Sequence, residues 1–82
     1  PPHVRDFEPR LALEAGPDGF AIYDRLIPSA ALQLVPGGTL LLEIGSTQEE
    51  GVRERLVAAG LEVGATIRDG RHPRVMSGRR AR

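Results

Sequence analysis

The stretch Pro36-Gly37-Gly38-Thr39-Leu40-Leu41-Leu42-Glu43-Ile44-Gly45-Ser46-Thr47-Gln48 decides the fold class of this chain. A turn sequence at 36–38 leads into an apolar run over 39–44, a pattern typical of a buried parallel strand in an α/β sheet. Ligands of open α/β sheets bind beyond the carboxyl ends of such strands, in the crevice where the strand order reverses. Glu43 is therefore predicted to lie near a binding crevice.

The residues after this strand predict a helix and then an antiparallel pair of strands. Ser46-x-x-Glu49 and Thr47-x-x-Glu50 both match the capping box, and Gly60 suits the C′ position that ends the helix. Apolar residues alternate through 61–67, which predicts a strand with one buried face. Asp69-Gly70 then indicates a type I′ hairpin turn into a return strand. The inner stripe of the helix consists of Val52, Leu56 and Ala59.

The residues before the strand predict a second helix over 20–34. Its apolar positions are spaced by three and four, which gives one stripe along the helix. Pro28 falls inside this pattern and predicts a kink or a restart, because proline removes a backbone donor. Residues 1–19 are predicted to be irregular, with a short extended piece around Leu11 and Leu13, and Asp18 as a candidate helix cap. The stripe consists of Tyr23, Leu26, Ile27, Ala30 and Leu34.

Together these elements predict part of an α/β domain rather than a whole one. The order helix, parallel strand, helix and antiparallel hairpin implies a right-handed crossover and about half of a doubly wound, Rossmann-like sheet. Residues 1–19 form the irregular segment and residues 20–82 the α/β core. In such a piece the open edge of the central strand is exposed, which favours self-association through that edge.

Composition excludes several functional classes. The chain has 82 residues, with eleven basic and eleven acidic residues and a formal net charge of zero. This balance gives no electrostatic reason to expect a nucleic-acid or membrane partner. There is no cysteine, and His3 and His72 are too isolated for a metal site, which needs three or four converging ligands. A cytoplasmic location is the default expectation, since no apolar stretch approaches the roughly 20 residues of a membrane span.

Several sequence pieces along the chain carry a resemblance to a known family. Among them are Phe7-Glu8-Pro9-Arg10-Leu11-Ala12-Leu13, Gly16-Pro17-Asp18-Gly19, Ile22-Tyr23-Asp24-Arg25-Leu26-Ile27-Pro28, and the stretch from Pro36-Gly37-Gly38 to Glu43-Ile44-Gly45. With these pieces in this order, nearly the whole chain resembles the carboxyl-terminal half of the release factor glutamine methyltransferases, the HemK/PrmC type. The resemblance implies a class I methyltransferase domain that uses S-adenosylmethionine. It also implies a peptide chain release factor as partner, methylated on the Gln amide of its Gly-Gly-Gln loop.

The resemblance places most of the family's chemistry upstream of this chain. The glycine loop that binds the cofactor is absent here, and the Asn-Pro-Pro-Tyr motif that holds the substrate amide is expected before Pro1. We therefore predict no catalytic and no cofactor-binding residue in the chain, and neither activity nor S-adenosylmethionine binding by the chain alone. Phe7, Glu8 and Glu43 are the candidate substrate-binding residues. The structural alternatives are a packed turn for Phe7 and Glu8, and a carboxylate bonded to a neighbouring N–H group or arginine for Glu43.

Two other functions remain open at this point. A related amino-methyltransferase that acts on DNA or RNA bases shares the Asn-Pro-Pro-Tyr type of site, although the neutral charge counts against it. A truncated, non-catalytic module that associates with itself is the second alternative. A strictly monomeric mass in solution would argue against the self-associating module.

Overall fold

The computed structural model describes the backbone of Val4–Phe7 and residues 19–82. The elements are β1 (Val4–Phe7), α1 (Ala21–Gln33), β2 (Leu34–Glu43), α2 (Glu49–Ala58), β3 (Glu62–Val63), β4 (Ile67–Asp69) and β5 (His72–Arg79). The α/β class is as predicted, but β1 lies within residues that the sequence analysis predicts to be irregular, so that prediction is wrong there. The extended piece near Leu11 and Leu13, and the cap at Asp18, lie outside the described residues.

The strands form one mixed sheet in which the last strand is inserted between two earlier ones. The strand order is β1-β2-β5-β3, and β4 pairs with the same strand as β3. β1 and β2 are parallel, whereas β5 runs antiparallel to β2, β3 and β4. The crossover from β2 through α2 therefore passes over β5 before it reaches β3. The predicted open edge of β2 is wrong, since β2 is paired on both sides and the outer strands are β1, β3 and β4.

The Pro-Gly-Gly sequence produces a bulge rather than a turn. α1 ends at Gln33 and β2 begins at the next residue. Against β1 the register jumps from Val4–Leu34 to Asp6–Thr39, so 35–38 bulge out of that ladder. Gly37 has a φ of 82°, which glycine adopts without strain. The predicted turn at 36–38 is wrong, because this segment lies within β2 and Gly37 and Gly38 exchange backbone hydrogen bonds with Arg80.

Both helices pack on one face of the sheet and share one core. The buried residues of the helices confirm the central positions of the predicted stripes: Tyr23, Ile27 and Ala30 on α1, and Val52 and Leu56 on α2. α1 runs through Pro28 as one element, so the predicted restart is wrong. On β2, Leu40 and Leu42 are buried while Leu41 between them is only partly buried, as alternation along a strand requires. The buried apolar residues are Tyr23, Ile27, Ala30, Leu34, Leu40, Leu42, Ile44, Val52, Leu56, Leu61 and Met76.

The two ends of α2 differ in how well local sequence predicts them. At the carboxyl end Gly60 is the C′ residue with a φ of 82°, as predicted. Its N–H donates to the Val57 carbonyl at 2.9 Å, and the Leu61 N–H donates to the Leu56 carbonyl at 3.1 Å, which completes a Schellman motif. At the amino end the N-cap is Gln48 and its side chain makes no capping bond, so both predicted capping boxes are wrong.

The predicted strand over 61–67 is split in two, and its hairpin is displaced by one residue. Leu61 is buried, but Ala65 is exposed and Ile67 is 60% exposed, so the prediction of one buried face fails beyond residue 63. Asp69 pairs with His72, which leaves Gly70 and Arg71 as the two loop residues. Among the described residues only glycines have positive φ, so this loop is not type I′, which needs positive φ at both positions.

Candidate functional site

The ends of β1 and β2 define the candidate site, which we call the carboxyl edge. It comprises Phe7, Glu43, the 44–48 loop and Gly19. Phe7 pairs in parallel with Leu40, so both strands end at the same side of the sheet. Gly19 reaches this edge through a hydrogen bond from Gln48. Ligands of open α/β sheets bind outside such strand ends, which makes this edge the place to look for a site.

Gln48 contacts three separate residues, Gly19, Tyr23 and Gly45, through one buried amide. Only 8% of the residue is exposed. Its Oε1 accepts a hydrogen bond from the Gly45 N–H at 2.7 Å and lies 3.1 Å from the Tyr23 hydroxyl. Its Nε2 donates to the Gly19 carbonyl at 2.8 Å. One side chain on α2 thus contacts α1, the loop after β2, and the point where the chain returns from β1.

Tyr23 is the second polar residue of this arrangement. Its single hydroxyl proton is shared between two acceptors, the Glu43 carbonyl oxygen at 2.9 Å and Gln48 Oε1 at 3.1 Å. Burial, followed by the nearby Glu43 charge, raises the pKa of Tyr23 to about 12. The phenol therefore stays protonated and remains a donor. A buried Tyr needs a partner for its hydroxyl, and this requirement was the available signal for Gln48, which the sequence analysis missed as a site residue.

The residues just before α1 are fixed on α2 at a second point. The Phe20 ring lies against Gly51 so closely that a Cβ there would be 2.3 Å from the ring. The Arg55 guanidinium lies 4.2 Å from the centroid of the same ring, and its Nε is 2.6 Å from an Asp24 carboxylate oxygen. Gly19 has a φ of 75°, and a Cβ there would be 2.6 Å from Gln48 Nε2. Gly19 and Phe20 thus both pack against residues at the amino end of α2.

Of the three candidate substrate residues, two belong to the carboxyl edge. Glu43 ends β2, is partly buried, and lines a cavity of about 280 Å³ together with Ile44, Arg74 and Val75. Phe7 ends β1 and is described as backbone only, and Glu8 lies outside the described residues. The roles of these three residues stay predictions. From β1 to β2 and from β2 to β3 the chain moves toward the same side of the sheet. The reversal of strand order expected near Glu43 is therefore not found among the described strands.

Glu49 joins the beginning of α2 to the segment between β3 and β4. Its carboxylate accepts a hydrogen bond from the Thr66 hydroxyl at 2.9 Å and from Arg68 Nη2 at 2.7 Å. Arg53, one turn along the helix, contributes a third contact at 3.1 Å. The hydrogen bond from Thr66, followed by that from Arg68, lowers the pKa of Glu49 from its ordinary value. Thr66 lies between β3 and β4, so this contact joins the break in the sheet to the beginning of α2.

Replacing Glu49 by Gln is expected to remove an acid-dependent part of the stability. A carboxyl whose pKa is lower in the folded state stabilises the fold fully above its unfolded pKa, near 4.5, and loses that contribution as the pH falls. The difference in unfolding free energy between the wild type and Glu49→Gln should therefore shrink on acidification. Urea unfolding across this pH range measures it.

The matched control is Glu54→Gln, which changes an exposed residue of the same helix. None of the ion pairs described above involves Glu54, so its difference from the wild type should vary less with pH. Equal pH dependence of the two variants would contradict the role assigned to Glu49.

The paired glycines of β2 do not belong to the carboxyl edge, and the described residues contain no candidate metal cluster. The adjacent glycines Gly37 and Gly38 lie at the opposite end of β2 from Glu43. The Gly37 N–H donates to the Arg80 carbonyl, and the Gly38 carbonyl accepts from the Arg80 N–H. Within residues 19–82 no three His, Asp or Glu side chains converge as a metal site would require. The described helices include none long and apolar enough to cross a membrane.

Comparison with known proteins identifies the family. No protein-family model matches the chain. The release factor glutamine methyltransferase of Caulobacter vibrioides is 45% identical over 78 residues, which is 94% of this chain and 27% of that protein. Its namesake from Salmonella typhimurium is 42% identical over 83 residues, which is 95% of this chain and 30% of that protein.

A third relative acts on a different protein according to its name. The ribosomal protein uL3 glutamine methyltransferase of Francisella tularensis is 43% identical over 47 residues, which is 57% of this chain and 15% of that protein. The chain thus spans less than a third of the length of each of the three relatives described here. Because the matches to the first two cover nearly all of its residues, the chain belongs to the release factor glutamine methyltransferase family and corresponds to one segment of its members.

Proposed function

We propose that the chain is the carboxyl-terminal portion of the catalytic domain of a cytoplasmic protein-glutamine methyltransferase. The full-length enzyme transfers a methyl group from S-adenosylmethionine to the Gln amide in the Gly-Gly-Gln loop of a peptide release factor. The observation that carries the proposal is the 45% identity over 94% of the chain to the Caulobacter release factor glutamine methyltransferase. The α/β sheet with both helices on one face is compatible with this assignment.

In this proposal the chain contributes substrate positioning rather than reactive groups. An amide nitrogen is a poor nucleophile because its lone pair is delocalised, so its methylation depends on orientation and on preorganised hydrogen bonds. Phe7, Glu8 and Glu43 are proposed to contact the protein substrate at the carboxyl edge. S-adenosylmethionine supplies the methyl group when bound, and the family resemblance implies that the glycine loop that binds it lies upstream of this chain. We therefore assign no cofactor contact to this chain.

The relatives and the charges of the chain favour the alternative substrates to different degrees. The Francisella relative makes ribosomal protein uL3 a second candidate of the same chemical class. A nucleic-acid base is less favoured, because the net charge is zero and several described arginines are paired with carboxylates. These arginines are Arg53, Arg55, Arg68, Arg74 and Arg79. Self-association through the outer edges of β1 or of β3 and β4 is the non-catalytic alternative.

The test uses the full-length protein that contains this chain. It is incubated with isotopically labelled S-adenosylmethionine and, separately, a release factor, ribosomal protein uL3, and DNA or ribosomal RNA. The proposal expects one methyl group on the Gln of the Gly-Gly-Gln loop, located by mass spectrometry. A release factor with Asn in place of that Gln is the matched control and should remain unlabelled. Label on uL3 or nucleic acid alone would overturn the assignment.

A further inference from the structure

We propose that Tyr23 is a positioning residue that fixes the end of β2 and thereby determines where Glu43 meets the protein substrate. This inference rests on the proposed function, in which Glu43 is one of the substrate contacts at the carboxyl edge. Tyr23 lies on α1, is fully buried, and directs its hydroxyl at the Glu43 carbonyl oxygen at 2.9 Å. It touches no reacting atom in this proposal and acts through the strand end that it holds.

The peptide group between Glu43 and Ile44 is hydrogen-bonded on both sides. Its N–H belongs to Ile44 and donates to the Arg74 carbonyl at 2.9 Å, on the side of β5. Its carbonyl points the opposite way, because the N–H and C=O of a planar trans peptide lie on opposite sides of the chain. On that side the described pairing with β1 ends at Leu40, three residues before the end of β2. The Tyr23 hydroxyl therefore serves this carbonyl as a neighbouring strand would.

Gln48 extends this arrangement into the loop after β2. Its Oε1 lies 3.1 Å from the Tyr23 hydroxyl and accepts a hydrogen bond from the Gly45 N–H at 2.7 Å. Tyr23 and Gln48 thus hold the backbone immediately before and after Ile44. Glu43 and Ile44 line the cavity of about 280 Å³ at this edge, so these bonds fix part of its wall. Burial raises the pKa of Tyr23 to about 12, so the hydroxyl remains a donor near neutral pH.

A contact residue on a fixed backbone binds its substrate better than the same residue on a mobile one, because less conformational freedom is lost on binding. Amide methylation also depends on how the amide is oriented. Loss of the Tyr23 hydroxyl should therefore reduce kcat/KM for the protein substrate, and the reduction should require the Glu43 side chain. Use of S-adenosylmethionine should be unaffected, because no cofactor contact is assigned to this chain.

The main variant is Tyr23→Phe in the full-length protein, which keeps the ring in the core and removes only the hydroxyl. We expect kcat/KM for the release factor to fall about tenfold, the factor that corresponds to the loss of one hydrogen bond. KM for S-adenosylmethionine should change less than about twofold. Ile27→Val is the matched control, because Ile27 is equally buried one turn along α1 but has no polar atom to bond to β2. It should leave both constants unchanged.

A double-mutant cycle with Glu43→Gln separates positioning from a general loosening of the fold. Glu43→Gln alone should lower kcat/KM at least as much as Tyr23→Phe does. In the Glu43→Gln background Tyr23→Phe should lower kcat/KM less than about twofold, because the group that it positions is already gone. Hydrogen exchange of the Gly45 amide gives a readout apart from activity. It should be several-fold faster in Tyr23→Phe than in Ile27→Val.

Gln48→Met is the second variant, and it keeps the inference testable if Tyr23→Phe folds poorly. Methionine has a similar length and fills the buried position, but it removes the amide oxygen that accepts from the Gly45 N–H. This variant should lower the same kcat/KM, and its effect should also shrink in the Glu43→Gln background. Circular dichroism of each variant checks that the fold is retained.

The outcomes separate this inference from the proposed function. Labelling of uL3 alone by the wild type overturns the proposed function, and the cycle is then measured on uL3. Labelling of nucleic acid alone, or a Glu43→Gln variant with unchanged kcat/KM, overturns the substrate contact and the inference with it. If the wild type methylates a protein and Tyr23→Phe matches Ile27→Val in kcat/KM and hydrogen exchange, only the inference fails. Independent effects of Tyr23→Phe and Glu43→Gln that multiply in the double variant would also overturn the inference alone.

Discussion

Replacing Leu56 by Ala is expected to lower the free energy of unfolding by about 2–5 kcal/mol. The Leu56 side chain is fully buried on α2 and lies over β5, where it approaches Gly78. Its truncation removes apolar contacts and leaves a cavity between α2 and the sheet. Domains are stabilised by only about 5–15 kcal/mol in total, and small ones have the narrowest margin, so the loss is a large share. Urea unfolding followed by circular dichroism measures it.

Val57→Ala is the control for this variant. Val57 is the next residue of the same helix, but 61% of it is exposed. Its truncation removes a similar kind of side chain without opening a cavity, so the change should stay within about 0.5 kcal/mol. Equal losses for the two variants would contradict the assignment of the buried face of α2.

Introducing Val at Gly78 is expected to destabilise the fold by about 1–3 kcal/mol or more, through overpacking. A Cβ at this position would lie 2.8 Å from Leu56 Cδ2 and 3.0 Å from Leu61 Cδ1. Both leucines are buried, so neither can move without disturbing the contact between α2 and the sheet. Valine favours strands on intrinsic propensity, and a loss of stability would therefore show that packing outweighs propensity here. The measurement is again urea unfolding.

A double variant tests the stated cause. Shortening Leu56 to Ala removes the atom that the new side chain at residue 78 would meet first. The combination of Leu56→Ala with Gly78→Val should therefore cost less than the sum of the two single changes, because each change partly accommodates the other. Additive losses would show that the clash with Leu56 is not the source of the destabilisation.

Local patterns were sufficient for the elements whose structure depends on nearby residues. The spacing of apolar residues predicts both helical faces, and Gly60 marks the end of α2, because each signal lies within a few residues of its effect. The order of the strands could not be predicted in this way. The paired residues of β2 and β5 lie between 32 (Glu43 with Val75) and 40 (Thr39 with Arg79) positions apart in the sequence. This pairing depends on the whole sheet, so the sequence alone predicted a crossover between neighbouring parallel strands.

The candidate site shows the same division between local and distant causes. Glu43 could be placed at a strand end because the apolar run before it is unmistakable. Gln48 could not be recognised, because its partners Gly19 and Tyr23 are distant in sequence, and two capping boxes offered a plausible local alternative. The capping boxes do not form, and Glu49, which one of them predicts to cap α2, instead accepts hydrogen bonds from Thr66 and Arg68. The bulge at 35–38 likewise depends on the pairing of β2 with β1 and on the bonds of Gly37 and Gly38 to Arg80.

The insertion of β5 has a consequence for how the protein is made on the ribosome. Until His72–Arg79 have been synthesised, β2 lacks its antiparallel neighbour, and β3 and β4 have no strand to pair with. The nascent chain therefore exposes an apolar strand edge that can join other chains. Synthesis stalled before this strand would favour aggregation, and a chaperone that covers β2 during this interval would favour correct folding.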